Sequence, residues 1–161
     1  MCVIIFFLLV IFTSGIQASE SHFSTAGFYE LANSGREVYN MNVGWRFYKG
    51  SCPDAWQREF DDSSWEVVSI PHGLELLPEE ASGNINYQGR AWYRKNFSVP
   101  ANLKDKKVYL HFEGIMGKSR IWLNGKLLKE HFNGYLPIIA DVTEDLNFEM
   151  ENTFSICADN I

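Results

Sequence analysis

Four places in this chain of 161 residues hold side chains whose type and spacing could do chemistry. Asp61-Asp62 and Glu79-Glu80 are adjacent carboxylates, the residue type that general acid–base work needs. His72 follows Pro71 at the mouth of the longest loop, and Asp159-Asn160 closes the last apolar run. Neither a Gly-x-Ser-x-Gly nucleophile motif nor a CxxC or His/Cys cluster occurs, so nucleophilic serine chemistry and a zinc site are unsupported. Ser63 and Ser64 follow Asp61-Asp62, and short carboxylates in such a turn cap backbone amides, which is the reading given to this pair. Glu79-Glu80 lies in a polar loop and reads as solvated. For His72 two roles stand open: a structural hydrogen bond, or a contact to a neighbouring domain or a substrate. Asp159 and Asn160 carry either turn chemistry or a grip on hydroxyl groups through charge-assisted hydrogen bonds. These three residues, Asp159, Asn160 and His72, are the binding candidates, and no catalytic or metal-binding residue is assigned.

The elements that must position them are short β-type runs separated by turns, which predicts an all-β sandwich or jelly roll. In residues 108–113, Val108, Leu110 and Phe112 alternate with Tyr109, His111 and Glu113, so one face is apolar. Residues 120–123 and 126–129 flank Asn124-Gly125, which supplies the positive φ angles of a tight hairpin turn. Further strands are expected at 45–49, 65–70, 91–99 and 153–158. Pro71 and Pro100 close two of them, because proline cannot donate to a ladder. Single helical turns are expected at 54–60 and 142–146. Trp45, Trp65 and Trp92 sit in or at the start of strands, where a large ring fills the space between sheets. Arg94 and Lys95 fall in mid-strand, where they cover apolar surface or pair with an acid such as Glu113. Gly114 and Gly125 are read as turn glycines.

The chain carries 20 acidic and 14 basic residues, all beyond position 18, for a net charge of -6. An acidic chain without a Lys/Arg block lacks the basic face that nucleic acid demands. Residues 2–12 form an unbroken apolar run, and small residues lead to Ala18. That is the pattern of a secretory signal peptide over 1–18, although no Lys or Arg precedes the run. About 11 apolar residues fall short of the ~20 that span a bilayer, so a stable membrane span is not expected. Export, to a periplasm or medium, permits a Cys52–Cys157 disulfide, while two unpaired thiols remain the alternative. Residues 19–41 form a polar leader, and the folded unit runs over 42–161.

Read in order, the motifs of that unit resemble glycoside hydrolase family 2, the β-galactosidase, β-glucuronidase and β-mannosidase group. The resemblance rests on Trp45-Arg46-Phe47, on Phe60 to Trp65, on Pro71-His72 and on Gly89 to Lys95. It continues through Phe112-Glu113-Gly114, Trp122 to Gly125, Gly134 to Pro137, Asp141 to Thr143, and the strand that ends in Asp159-Asn160. The departures are Gly73-Leu74, where the family places an acidic residue and then Trp, and Arg90-Ala91 before Trp92.

The resemblance implies the amino-terminal sugar-binding domain, a galactose-binding-domain-like jelly roll, truncated near its carboxyl end. It implies that Asp159, after the last strand, projects toward an active site built chiefly by a barrel domain of the same parent chain. The family reaction is retaining hydrolysis of a β-glycoside by two carboxyl groups about 5 Å apart. Both belong to a barrel that needs roughly 250 residues of its own. The family's acid/base follows an asparagine, and no Asn-Glu dipeptide occurs here. The chain alone is therefore expected to be inactive, with no cofactor of its own. A divalent or sodium ion, used by some relatives, would fall largely outside this segment. The alternatives are a free-standing carbohydrate-binding module displaying Tyr87 and Tyr135, and a remnant without function.

Overall fold

A computed structural model of the chain describes residues 36–74 and 87–160. Glu79-Glu80, the segment 1–18 and most of the polar leader lie outside these residues. Eight strands form two sheets: β1 (Trp45–Lys49), β2 (Glu66–Val68), β3 (Arg90–Phe97), β4 (Tyr109–Phe112), β5 (Lys118–Leu123), β6 (Lys126–Phe132), β7 (Ile138–Asp141) and β8 (Asn152–Asp159). Six of them make one sheet in the order β2-β1-β3-β8-β5-β6, and β4 pairs with β7 in the other. Every ladder is antiparallel. Among the described residues no helix is long and apolar enough to cross a membrane.

The centre of the large sheet is the ladder between β3 and β8, running from Arg90 opposite Asp159 to Phe97 opposite Asn152. Strand alternation sends Ala91, Tyr93 and Phe97 to one face and Arg90, Trp92, Arg94 and Asn96 to the other. Both faces of β3 are largely buried, because each is covered by a different layer. On the first, Phe47, Ala91, Ile121, Phe154 and Ile156 meet Ile138 and Val142, with Leu110, Phe112 and Ala140 of the small sheet packed against them. This is the core of a β-sandwich. On the second, residues from the stretch between β1 and β2, among them Ala55 and Trp65, close over Trp92, Trp122 and Cys157.

The hairpin between β5 and β6 turns on Asn124 at φ 52 and Gly125 at φ 82, both in the left-handed region that its turn type requires. Asn124 also donates to the Asp145 carbonyl and to Asn152 Oδ1, while its own Oδ1 accepts from the Thr153 amide. The alternation in β4 holds, with Leu110 and Phe112 turned inward and Tyr109 and His111 exposed. Some elements differ from expectation. β2 spans three residues, β7 stands where no strand was expected, and 54–60 forms linked turns without a helix. β7 escapes a sequence reading because it is four residues long and gains its hydrogen bonds from β4 alone. Residues 36–41 lie against the domain: Glu37 accepts from Lys106 Nζ, and the Met41 carbonyl accepts from the Trp45 indole.

Candidate functional site

The carboxyl end of β8 lies beside the start of β3, which brings Asp159 and Asn160 together with Tyr87, Gly89 and Arg90. Asn160 acts as a bracket. Its Oδ1 accepts from the Gly89 amide at 2.7 Å and its Nδ2 donates to the Tyr87 carbonyl at 2.6 Å. The Tyr87 hydroxyl donates to the Arg90 carbonyl at 2.8 Å, closing the corner. Asp159 pairs with Arg90, Nε to Oδ2 at 3.0 Å, and the carboxylate side chain is 23% exposed. That hydrogen bond holds the Arg90 guanidinium above its usual range. Gly117, at φ 81, passes beneath this corner, and a Cβ there would stand 2.3 Å from the Asp159 carbonyl oxygen.

His72 is placed elsewhere. Its Nδ1 lies 3.0 Å from the Tyr93 hydroxyl, and its ring meets Phe47 edge-on at 4.6 Å. Burial pushes the Tyr93 hydroxyl up to about 12, so it stays protonated at neutral pH. Tyr93 and Arg90 are three residues apart on β3, so their side chains leave opposite faces of the sheet. The structure thus joins Asp159 to Asn160 and separates both from His72, which is hydrogen-bonded to Tyr93.

Arg94 is the principal residue that sequence reasoning placed without identifying its role. It is 1% exposed and makes six hydrogen bonds. Nε donates to Asp62 Oδ2 at 2.8 Å, Nη1 to the carbonyls of Ala55 and Gln57 and to Ser155 Oγ, and Nη2 to the carbonyls of Arg58 and Phe60. Asp62 is therefore an ion-pair partner and not the amide cap expected, whereas Asp61 Oδ1 does accept from the Ser63 amide. Neither mid-strand cation meets Glu113: Lys95 donates to the Val43 carbonyl at 2.5 Å, and burial lowers its pKa. The signal for the anchor was the bare occurrence of Arg in mid-strand and Asp-Asp in a turn, without their distance in space.

Where the covering stretch leaves the second face open, a cavity of about 220 Å3 remains, lined by Trp56, Arg90, Trp92, Arg120, Trp122 and Cys157 among others. Trp92 and Trp122 stack at 5.6 Å. Trp45, Trp65 and Trp92 are all buried, but only Trp45 lies between the sheets as expected, while Trp65 and Trp92 pack on the second face beneath the covering stretch. Cys52 and Cys157 are free thiols, and both are pushed up chiefly by burial. Among the described residues no group of three or more His, Cys, Asp or Glu side chains is arranged to hold a metal ion.

Residues 78–160 match the family described as glycosyl hydrolase 2, galactose-binding domain-like. The chain is 38% identical over 127 residues to a β-galactosidase of Thermoanaerobacter pseudethanolicus, covering 78% of this chain and 17% of that protein. It is 32% identical over 138 residues to a β-glucuronidase of Formosa agariphila, covering 81% of this chain and 14% of the relative. The crystal structure of a Bacteroides uniformis β-glucuronidase superposes with a TM-score of 0.69 at 33% identity, over 74% of this chain and 14% of that one. The chain thus spans about a sixth of the length of the relatives it matches.

Proposed function

The chain belongs to glycoside hydrolase family 2, as its amino-terminal galactose-binding-like domain, and from that premise we propose a non-catalytic role within an exported retaining glycosidase. In this reading the domain buttresses a catalytic barrel of the same parent polypeptide, and the sequence in hand is a fragment of it. The parent enzyme hydrolyses O-glycosidic bonds of β-glycosides, with an acid/base and a nucleophile supplied by the barrel. Asp159 forms one wall of the substrate pocket, and Asn160 holds it there.

The observation that carries this reading is the corner at the end of β8. Asn160 spends its whole carboxamide on the backbone of Tyr87 and Gly89. Its neighbour Asp159 is pinned by Arg90 with its carboxylate still partly open to solvent. A carboxylate held on a central strand in this way is oriented for a sugar hydroxyl before the ligand arrives. Asp61 and Asp62 are occupied by Ser63 and Arg94, which supports the absence of catalytic carboxylates from their turn. Export rests on the apolar run of residues 2–12.

The test is the intact mass and activity of the native product. A secreted protein several times heavier than 18.5 kDa, carrying these peptides and cleaving nitrophenyl β-glycosides, is the expected result. In that protein Asp159→Ala should lower kcat/KM roughly ten- to hundredfold, the worth of a hydrogen bond to a charged group. A native product no larger than this chain would overturn the reading. A free-standing carbohydrate-binding module would then stand in its place, with Tyr135, 85% exposed, as the most open aromatic ring among the described residues.

A further inference from the structure

The cavity on the second sheet face has a composition that packing alone does not call for. Its floor is a row of paired residues across three strands: Trp92 stands opposite Cys157, and Cys157 opposite Arg120. Trp122 stacks on Trp92, so two indoles lie side by side under the opening. Trp56, from the covering stretch, forms a wall and is 38% exposed.

The rim is cationic in its donors. Arg90 and Arg120 both line the cavity, with side chains 46% and 40% exposed. Each engages a carboxylate through Nε, Arg90 with Asp159 at 3.0 Å and Arg120 with Glu130 at 3.4 Å. Among the described residues no hydrogen bond occupies the Nη groups of either. A guanidinium carries five N–H donors in a planar fork that matches carboxylate and sulfate oxygens two at a time. The volume, about 220 Å3, is below that of pockets for drug-sized ligands and suits one small ring.

We propose that this cavity binds a single pyranose unit bearing an acidic group, with its apolar C–H face against Trp56 and its anionic group between Arg90 and Arg120. The choice of a sugar rests on the family reading above; the choice of an anion rests on the two guanidinium groups. A carboxylate and a sulfate present the same oxygens to this rim, so either supplies the anionic group.

The experiment is a titration of the purified chain, followed by tryptophan fluorescence and ligand-observed saturation-transfer NMR. The probes are methyl β-D-glucuronide, D-glucose 6-sulfate and methyl β-D-glucoside. Saturable binding of the glucuronide near the millimolar range is expected, at least tenfold tighter than the neutral glucoside. Binding of the 6-sulfate as well assigns the site to acidic sugars in general, and its failure to bind assigns the site to uronates. Trp56→Ala and Arg120→Ala should each weaken binding tenfold or more under conditions where circular dichroism shows the variant still folded. Glu130→Gln, which releases Arg120, should tighten it. Equal affinity for the neutral glucoside, no saturation, or full affinity in Trp56→Ala overturns the proposal. Because no readout is hydrolysis, those results leave the glycosidase reading untouched, and a product without hydrolase activity leaves this one untouched.

Discussion

Arg94 lies 2.8 Å from Asp62, with the guanidinium 1% exposed and the carboxylate 14% exposed. The pair joins the middle of the sheet to the turn before β2, and the remaining Arg94 donors gather four backbone carbonyls of the covering stretch. Removing one partner of such a pair strands the other group and leaves those carbonyls without donors. Arg94→Met should therefore cost about 3–5 kcal/mol in urea unfolding. Arg94→Lys keeps the charge but not the fork, and should fall between wild type and Met. Asp62→Asn keeps an acceptor at a partly exposed position and should cost less than either.

Asn124 performs two separable tasks. Asn124→Gly retains the φ of 52 but loses three side-chain hydrogen bonds, and should cost roughly 2–3 kcal/mol. Asn124→Ala loses the bonds and strains the turn as well, adding about 1–2 kcal/mol. Chemical denaturation of the two variants side by side separates the terms; equal losses would show that the turn conformation contributes nothing.

Gly117 guards the Asp159–Asn160 corner. Gly117→Ala places a methyl group where the Asp159 carbonyl stands, at φ 81, and should cost roughly 2–4 kcal/mol. The same substitution should speed hydrogen exchange at the Gly89 amide, which donates to Asn160 Oδ1. Unchanged exchange would mean that the corner does not depend on the tight passage of Gly117.

Stability at alkaline pH should reflect two desolvated groups with opposite signs. Burial lowers the Lys95 pKa from 10.5, so the folded state gives up that proton first, and stability rises as pH climbs through the folded value toward 10.5. Tyr93 is raised from 10.0 to about 12. Its contribution is complete below pH 10 and is lost as pH rises from 10 through 12. Tyr93→Phe should flatten the fall above pH 10 and leave the Lys95 rise in place, as read from urea midpoints across pH 8.5 to about 12.

Much of this fold can be read from residues close together in sequence. Asn124-Gly125 announces a hairpin, the alternation from Val108 to Glu113 announces a half-buried strand, and Asp61 with Ser63 announces a capped turn. Each depends on neighbours within a few positions. β7 was hidden because four residues without strong alternation become a strand only when β4 supplies hydrogen bonds. The roles of Arg94 and Asp62 were hidden because the two lie 32 positions apart, and a cation in mid-strand has many candidate partners. For the same reason Asp159 and Asn160 could be singled out by type and place, while Arg90, Tyr87 and Gly89, some 70 residues earlier, could not be joined to them.

β8 follows the other seven described strands in sequence, yet it sits between β3 and β5 in the large sheet. Until it is made, that sheet exists only as two separate pieces, β2-β1-β3 and β5-β6, each with an open edge. A ribosome delivers the chain from its amino end, so these edges, bearing Trp92 and Trp122, wait unpaired until residues 152–159 emerge. Non-local pairing of this kind is slow, and waiting edges invite association with other chains. The two halves of the large sheet therefore join in one late step, and nascent chains halted before residue 152 should be captured by chaperones or aggregate instead of accumulating as a folded core.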